Sequence, residues 1–330
     1  MKVKNILIPD RVEKPDIESL IFDENYNITA HCVLSEKDID DKIWASADAI
    51  LAWHDLNYDA ELIAKLKSCK VIVRVGVGYD NVDLDAARGK NIIVCNVPDY
   101  GTNDVADHAI GLMLSLNRGL EKYNYEAKYN ERWDWDAAGK LNRLTGSKMG
   151  IIGLGRIGTA TAMRAKAFGM NVSFYDPYVH EGKDKSLMIK RIYNLEEILK
   201  LSDVISIHTP LTNETESMID DYFFKKMKKS AILINTARGA IFNIKDLYNA
   251  LKKGYIRAIG SDVFPIEPPE KTHPLIQAWR NDDEWIRGRF ILTPHAAFYN
   301  QESYEEMRRK AALEAKRVLD GHRPFNQICI

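Results

Sequence analysis

One stretch, Met149-Gly-Ile-Ile-Gly153-Leu-Gly155-Arg-Ile-Gly158, restricts what this chain can fold into more than any other. Its apolar start reads as a strand and its glycines as a tight turn. Residues 159–168 follow as a helix, and residues 171–176 as a second strand ending on a carboxylate, Asp176. In such a unit Gly153 permits the turn, Gly155 lets backbone approach a pyrophosphate, and Gly158 lets helix and strand pack closely. The helix N-terminus then presents N–H groups and partial positive charge to phosphates. Asp176 falls about twenty residues beyond the glycines, where a ribose-binding acid is expected. A bare GxGxxG recurs in ordinary loops; here strand, helix and terminal acid all accompany it, and the stretch predicts a dinucleotide site.

The first third of the chain has its own α/β rhythm. Residues 5–8, 48–52, 70–74 and 92–97 are short apolar runs, with a helix predicted over 60–66. Runs this short, separated by helices, predict parallel strands covered on both faces. With 330 residues the chain has length for about two domains, and the glycine unit comes too late to belong to the first. Ligand crevices in such sheets lie beyond the strands' carboxyl ends. That singles out Arg74-Val-Gly76-Val77-Gly78-Tyr79-Asp80, whose glycines can expose amide N–H groups to an anion such as a substrate carboxylate. A plain turn before a helix fits the same residues. A long apolar helix over 104–116 comes next, then an aromatic and charged stretch over 123–140, in which Tyr129, Trp133 and Trp135 read as packing or subunit contact.

Beyond the glycine unit, a helix is predicted over 195–201 and strands over 203–208, 231–235, 257–262 and 290–293. They deliver Thr209, Arg238, Asp262 with Glu267, and His295 to the edge where the glycine turn would hold its cofactor. Hydride transfer to a 2-keto acid needs a cation for the carboxylate and carbonyl, a proton donor working near neutral pH, and a group that favours the donor's charged form. Arg238 is a permanent planar cation, His295 the natural acid/base, and Glu267 the partner that favours its protonated form. A strand-end arginine is more often a surface ion pair, and a lone histidine more often structural. Their joint arrival at successive strand ends argues against both readings.

A net charge of −1 gives no global reason to expect nucleic acid or a charged membrane surface. Cys32, Cys69, Cys95 and Cys329 are scattered, with no CxxC and no histidines at zinc spacing. Free thiols in a reducing compartment, and no metal, are expected. The opening apolar run is too short for a signal peptide, and no segment approaches the ~20 apolar residues of a membrane helix. A cytoplasmic location is the expectation.

Asn235-Thr-Ala-Arg-Gly239, Asp262-Val-Phe-Pro-Ile-Glu-Pro268 and Thr293-Pro-His-Ala-Ala297, with the glycine motif and Val75-Gly-Val-Gly-Tyr-Asp-Asn-Val-Asp83, resemble the D-isomer-specific 2-hydroxyacid dehydrogenases over nearly the whole chain. Within them, Val94-Cys-Asn-Val-Pro98, Arg164-Ala-Lys-Ala-Phe-Gly169, Phe174-Tyr-Asp-Pro-Tyr178 and His295-Ala-Ala-Phe-Tyr299 are similar to the C-terminal-binding-protein branch. The resemblance implies two Rossmann- or flavodoxin-like doubly wound parallel-sheet domains with a cleft between them. The substrate domain would comprise residues 1–100 and 297–330, the NAD-binding domain residues 101–296. It implies a catalytic set of Arg238, Glu267 and His295, and substrate contacts from Val77, Gly78, Arg74, Tyr100 and Phe298. For NAD it implies Asp262 on the nicotinamide carboxamide, Asp176 on the ribose and Thr209 nearby. Further cofactor contacts would come from Val105, Gly153, Gly155, Arg156, Ile157, Gly158, Pro210, Thr236, Ala237 and His295.

A homodimer through the cofactor domain is also implied. Phe298 replaces the branch's tryptophan, so that branch's preference for a bulky keto acid does not carry over. Trp53, His54, Tyr79, Tyr100 and Phe298 together predict a medium or large substrate side group, the alternative being that some of them pack in the core. The stretch 274–289 is longer than the family's usual link and reads as a dimer edge, a lid or surface, and no room is expected after the last helix for a regulatory domain. Two functions fit: an NAD-dependent dehydrogenase of 2-hydroxy acids, and a dinucleotide-gated protein-interaction module with vestigial catalysis.

Overall fold

The computed structural model describes residues 3–328, so Cys329 lies outside it. The chain divides into two compact units, one running to Gly101 and resuming at Tyr299, the other Thr102–Phe298.

The first unit is built on β1 (Lys4–Ile8), β2 (Tyr26–Ala30), β3 (Ala49–Ala52), β4 (Val71–Arg74) and β5 (Ile93–Asn96). All pair in parallel, in the order β2-β1-β3-β4-β5. β3 and β4 are buried along their whole lengths, which is why they read as unbroken apolar runs. Asp59 and Asp83 accept the N–H groups of Leu62 and Ala86 and so start the helices Ala60–Lys65 and Leu84–Gly89. The last helix, Gln301–Leu319, opens on a capping box made by Asn300 and Ser303 and packs on β3 and β4. Trp53 was expected to line a substrate pocket. It is instead buried, its ring 5.7 Å from that of Tyr304 on this helix, because the apolar edge of the sheet continues one residue past β3.

The second unit contains β6 (Lys148–Ile152), β7 (Asn171–Tyr175), β8 (Lys190–Arg191), β9 (Val204–Ile207), β10 (Ile232–Asn235), β11 (Ala258–Ser261) and β12 (Phe290–Leu292). Its seven strands are parallel in the order β12-β11-β10-β9-β6-β7-β8. Helix Thr102–Arg118 buries Ala109, Leu112, Met113 and Leu116 against one face. Phe223 and Phe224 of one helix and Leu247 and Leu251 of the next fill the other. Both units are therefore doubly wound.

One expectation about a loop changes, and another narrows. The 274–289 stretch is part of the core: it forms helix Pro274–Arg280, buries Leu275, Ile276 and Ile286, and stacks Trp279 edge-on to Phe290 and Trp285 edge-on to Tyr248. Trp133 and Trp135, read as packing or subunit contact, do not pack within the chain: they are 91% and 89% exposed, past the end of helix Leu120–Tyr129, and the subunit-contact reading stays open.

Candidate active site

In the second sheet the strand order reverses between β6 and β9, the place where doubly wound sheets open a crevice beyond their carboxyl ends. The glycine turn follows β6. Gly153 has φ +89°, and a Cβ there would stand 2.7 Å from the His208 carbonyl group, so the turn runs directly against the end of β9. A Cβ on Gly158 would strike the Gly153 carbonyl oxygen, which is how helix Arg156–Ala167 seats so closely on its strand. Gly155, by contrast, faces open space. It caps the helix without a side-chain hydrogen bond. Gly155, Arg156 and Thr159 line an open hollow of about 850 Å³, with Tyr178 and His180 across it.

Asp176, just past β7, receives the Leu154 N–H at 2.8 Å and the Tyr178 N–H at 2.9 Å, one on each oxygen, and each oxygen retains capacity to accept another bond. Among the described residues, the hydroxyls of Thr209 and Thr236, at the ends of β9 and β10, are buried with no protein partner. Such groups are costly unless something bonds them. Open backbone at a helix N-terminus, two partnerless hydroxyls and a fixed acid fit a dinucleotide laid along this edge. Val105, on helix Thr102–Arg118, is buried; Ile157 is half-buried and Pro210 exposed.

Beyond β10, Asn235 ties its own turn. Its side chain accepts the Ala237 N–H and donates to the Arg238 carbonyl. The Arg238 guanidinium donates to the Ala237 carbonyl at 2.8 Å. Gly239 lies flat against the Phe264 carbonyl and Pro265, leaving no room for a Cβ, so the Arg238 turn and the loop bearing Glu267 are in contact. Glu267 accepts the Phe264 N–H through Oε1, and His295 Nδ1 stands 2.7 Å from Oε2. Burial opposes ionisation of Glu267. The His295 hydrogen bond and charge, the Phe264 N–H and Arg238 outweigh it, and its carboxyl is held below the usual range.

His295 sits on a left-handed turn, φ +53°. Asp262, 1% exposed, builds that turn: its carbonyl receives the His295 N–H, and its carboxylate receives the N–H groups of Ala296 and Ala297 and the Thr293 hydroxyl. His108 Nε2 lies 2.9 Å from the same hydroxyl, whose proton is committed to Asp262 at 2.5 Å, so His108 donates. The Asp262 carboxylate, expected at a cofactor amide, is here already engaged by the His295 turn.

In the first unit the corresponding edge carries Arg74, Val77 and Gly78. Asn96, at the end of β5, donates to the Val77 carbonyl at 2.7 Å, while the Val75 N–H donates to Ala52 and the Val97 N–H to Gly76. Among the described residues, the N–H groups of Val77 and Gly78 are not used by protein acceptors, which suits an anion. Gly76, φ +151°, has the Arg74 guanidinium where a Cβ would be, so Arg74 folds over this loop. Tyr79 and His54 are partly exposed, and Tyr100 and Phe298 half-buried, each in its own unit. Asp10, Asn96, His108 and Thr293 were missed. The strand-end rule that found Arg238 would have found Asp10 and Asn96, which follow or end β1 and β5; His108, on a helix face, carries no such signal.

The second unit is thus a doubly wound sheet with a glycine turn at its switch point, and its strand-end loops carry Arg238, Glu267 and His295. Residues 110–297 match the D-isomer specific 2-hydroxyacid dehydrogenase, NAD binding domain. The chain belongs to that family. It is 36% identical over 324 residues to D-3-phosphoglycerate dehydrogenase of Methanocaldococcus jannaschii, covering 98% of this chain and 59% of that protein. It is 33% identical over 299 residues to C-terminal-binding protein 1 of Caenorhabditis elegans, covering 88% of this chain and 40% of that protein. The chain thus spans three fifths or less of these relatives' own lengths. Among solved structures, D-lactate dehydrogenase from Aquifex aeolicus, complexed with NAD and lactic acid, has TM-score 0.84 and 29% identity, covering 96% of both chains. A glyoxylate reductase from Paecilomyes thermophila has TM-score 0.87 and 27% identity, covering 99% of both. No helix among the described residues is long and apolar enough to cross a membrane.

Proposed function

We propose that the chain is an NAD-dependent D-2-hydroxyacid dehydrogenase that interconverts a 2-keto acid and its 2-hydroxy acid. The observation that carries the reading is the His295–Glu267 pair, 2.7 Å apart, on loops packed against the Arg238 turn in the unit with the glycine motif. Gly155, the start of helix Arg156–Ala167, Asp176, Thr209 and Thr236 would hold NADH, which would supply the hydride. Nδ1 of His295 is committed to an ionised Glu267, so Nε2 is the atom that gives a proton to the carbonyl oxygen in reduction and takes it back in oxidation. Arg238, its turn fixed by Asn235, binds the carboxylate and carbonyl as a planar cation. Val77 and Gly78 N–H groups, with Arg74 behind them, hold the carboxylate. Asp262 and Thr293 keep His295 on its turn. A steady-state panel of chemically varied 2-keto acids with NADH tests the reading. Turnover with at least one, lost on His295→Ala with NADH affinity kept, is expected; background rates across the panel contradict it.

A further inference from the structure

The first sheet has its own switch point. Its order, β2-β1-β3-β4-β5, reverses between β1 and β3, and the crevice of such a sheet opens beyond those two strands. Asp10 sits there, two residues past β1 and 0% exposed. Its carboxylate spans the gap, with Oδ1 accepting the Trp53 N–H and Oδ2 the Asp55 N–H, each at 3.1 Å, from the turn that follows β3. Arg74, at the end of β4 and itself buried, faces it as a cation.

A buried carboxylate is a costly way to clip a turn. Here both oxygens accept an N–H, and an asparagine would set its NH2 against one of those donors, so the turn is tied to the ionised form of Asp10. We propose that Asp10 is a positioning residue for substrate: its carboxylate fixes the Trp53–Asp55 turn and Arg74 at the mouth of the first unit, and the unit takes a 2-keto acid's carboxylate well only while Asp10 is ionised. The inference rests on the proposed function and deepens it.

The surrounding groups set when that charge exists. Burial raises the Asp10 pKa, the two N–H groups lower it, Asp55 raises it and Arg74 lowers it, leaving it at about 6. Asp55 is held by Arg11, Nε to Oδ2 at 2.6 Å, and Arg11 also reaches His54 at 3.1 Å. The buried Tyr58 hydroxyl is the remaining titratable neighbour, and its burial keeps it neutral. Asp10 therefore gains its proton as pH falls through about 6, whereas Glu267 stays ionised to lower pH. Protonation cancels the charge opposite Arg74 and turns one acceptor oxygen into a hydroxyl. Substrate affinity should fall on the acid side. The effect lies in KM for the keto acid, whereas loss of the proton that His295 gives would act on the rate, so the two are read separately.

The test is KM for a keto acid, kcat and NADH affinity from about pH 5 to 8 for wild type, Asp10→Asn and Asp55→Asn. In wild type KM should rise as pH falls through about 6, by up to about tenfold per pH unit. Asp10→Asn should hold a high KM that no longer depends on pH in this range, with kcat at its plateau and NADH affinity within about twofold of wild type. Asp55→Asn, which removes a like charge and releases Arg11, should move the rise to lower pH. A flat wild-type KM, or a rise that survives Asp10→Asn, overturns the inference. If Asp10→Asn does not fold, the Asp55→Asn profile decides, and a rise at unchanged pH overturns it. No turnover with any keto acid strikes the functional assignment instead, and this inference with it.

Discussion

A carboxylate helps an acid/base imidazole only if it is ionised over the working range, and Glu267 is, because its partners hold its carboxyl below the usual range. Folding lowers this pKa, so the Glu267–His295 pair contributes stability above the ordinary carboxylate range and loses it as pH falls through the folded value. Glu267→Gln keeps the shape and removes the charge. With chemistry rate-limiting, the reductive rate should begin its decline at lower pH than in wild type, and the oxidative limb should move the same way; limbs that stay in place refute the pairing's role. Asp176 argues a second outcome: its fixed negative charge repels a 2′-phosphate, so NADH should far outperform NADPH, and equal kcat/KM with both would contradict it. The residues readable from sequence were those whose chemistry is rare at a strand end: Arg238, Glu267 and His295. Asp10 was missed because an aspartate after Pro9 reads as a surface turn; the strand-end rule marks its position, but only the fold shows that it is buried. The engagement of Asp262 by Ala296, Ala297 and Thr293 was illegible because those bonds span strands that sequence does not align.

The glycine turns carry most of the positioning at the level of elements. Gly158 packs on the Gly153 carbonyl with no space for a methyl group. Gly158→Ala must shift the turn or the helix, and should weaken NADH binding at least about tenfold while costing about 1–3 kcal/mol of stability. Titration and thermal unfolding check it, and unchanged NADH affinity would mean the turn does not shape the site. The buried strands and this turn were legible because apolar runs and glycine spacing are local signals. β2 was not: Tyr26–Ala30 alternates polar Asn27 and Thr29 with half-buried neighbours, as an edge strand does. β8 is only two residues long, and helix Leu120–Tyr129 starts straight after a left-handed Gly119 that ends the previous helix, so its polar sequence offers neither a gap nor an apolar stripe.

The whole molecule is stitched in its first unit by an ion cluster joining the chain's two ends. Arg308, on the last helix, is buried and grips buried Glu18 through two nitrogens, with Asp16 on its rim. Arg308→Ala strands the Glu18 charge and should cost that unit about 3–5 kcal/mol. NADH binding, assigned to Thr102–Phe298, should survive well below the new unfolding transition; its loss in step with that transition would contradict the division of labour between the units. No Pro/Gly-rich linker marks either seam, so composition alone did not reveal where the chain leaves the first unit and returns to it. Only motif resemblance pointed near those positions.

The central claim is that this edge moves a hydride to a 2-keto acid with His295 supplying the proton. It is tested most directly by single-turnover reduction with NADH deuterated at the transferable C4 position, using a keto acid selected by the panel. Deuterium is expected at C2 of a D-configured 2-hydroxy acid, formed by wild type and slowed about 10²–10⁴-fold by His295→Ala with NADH still bound. An L-configured or unlabelled product, or a His295→Ala rate equal to wild type, would contradict it.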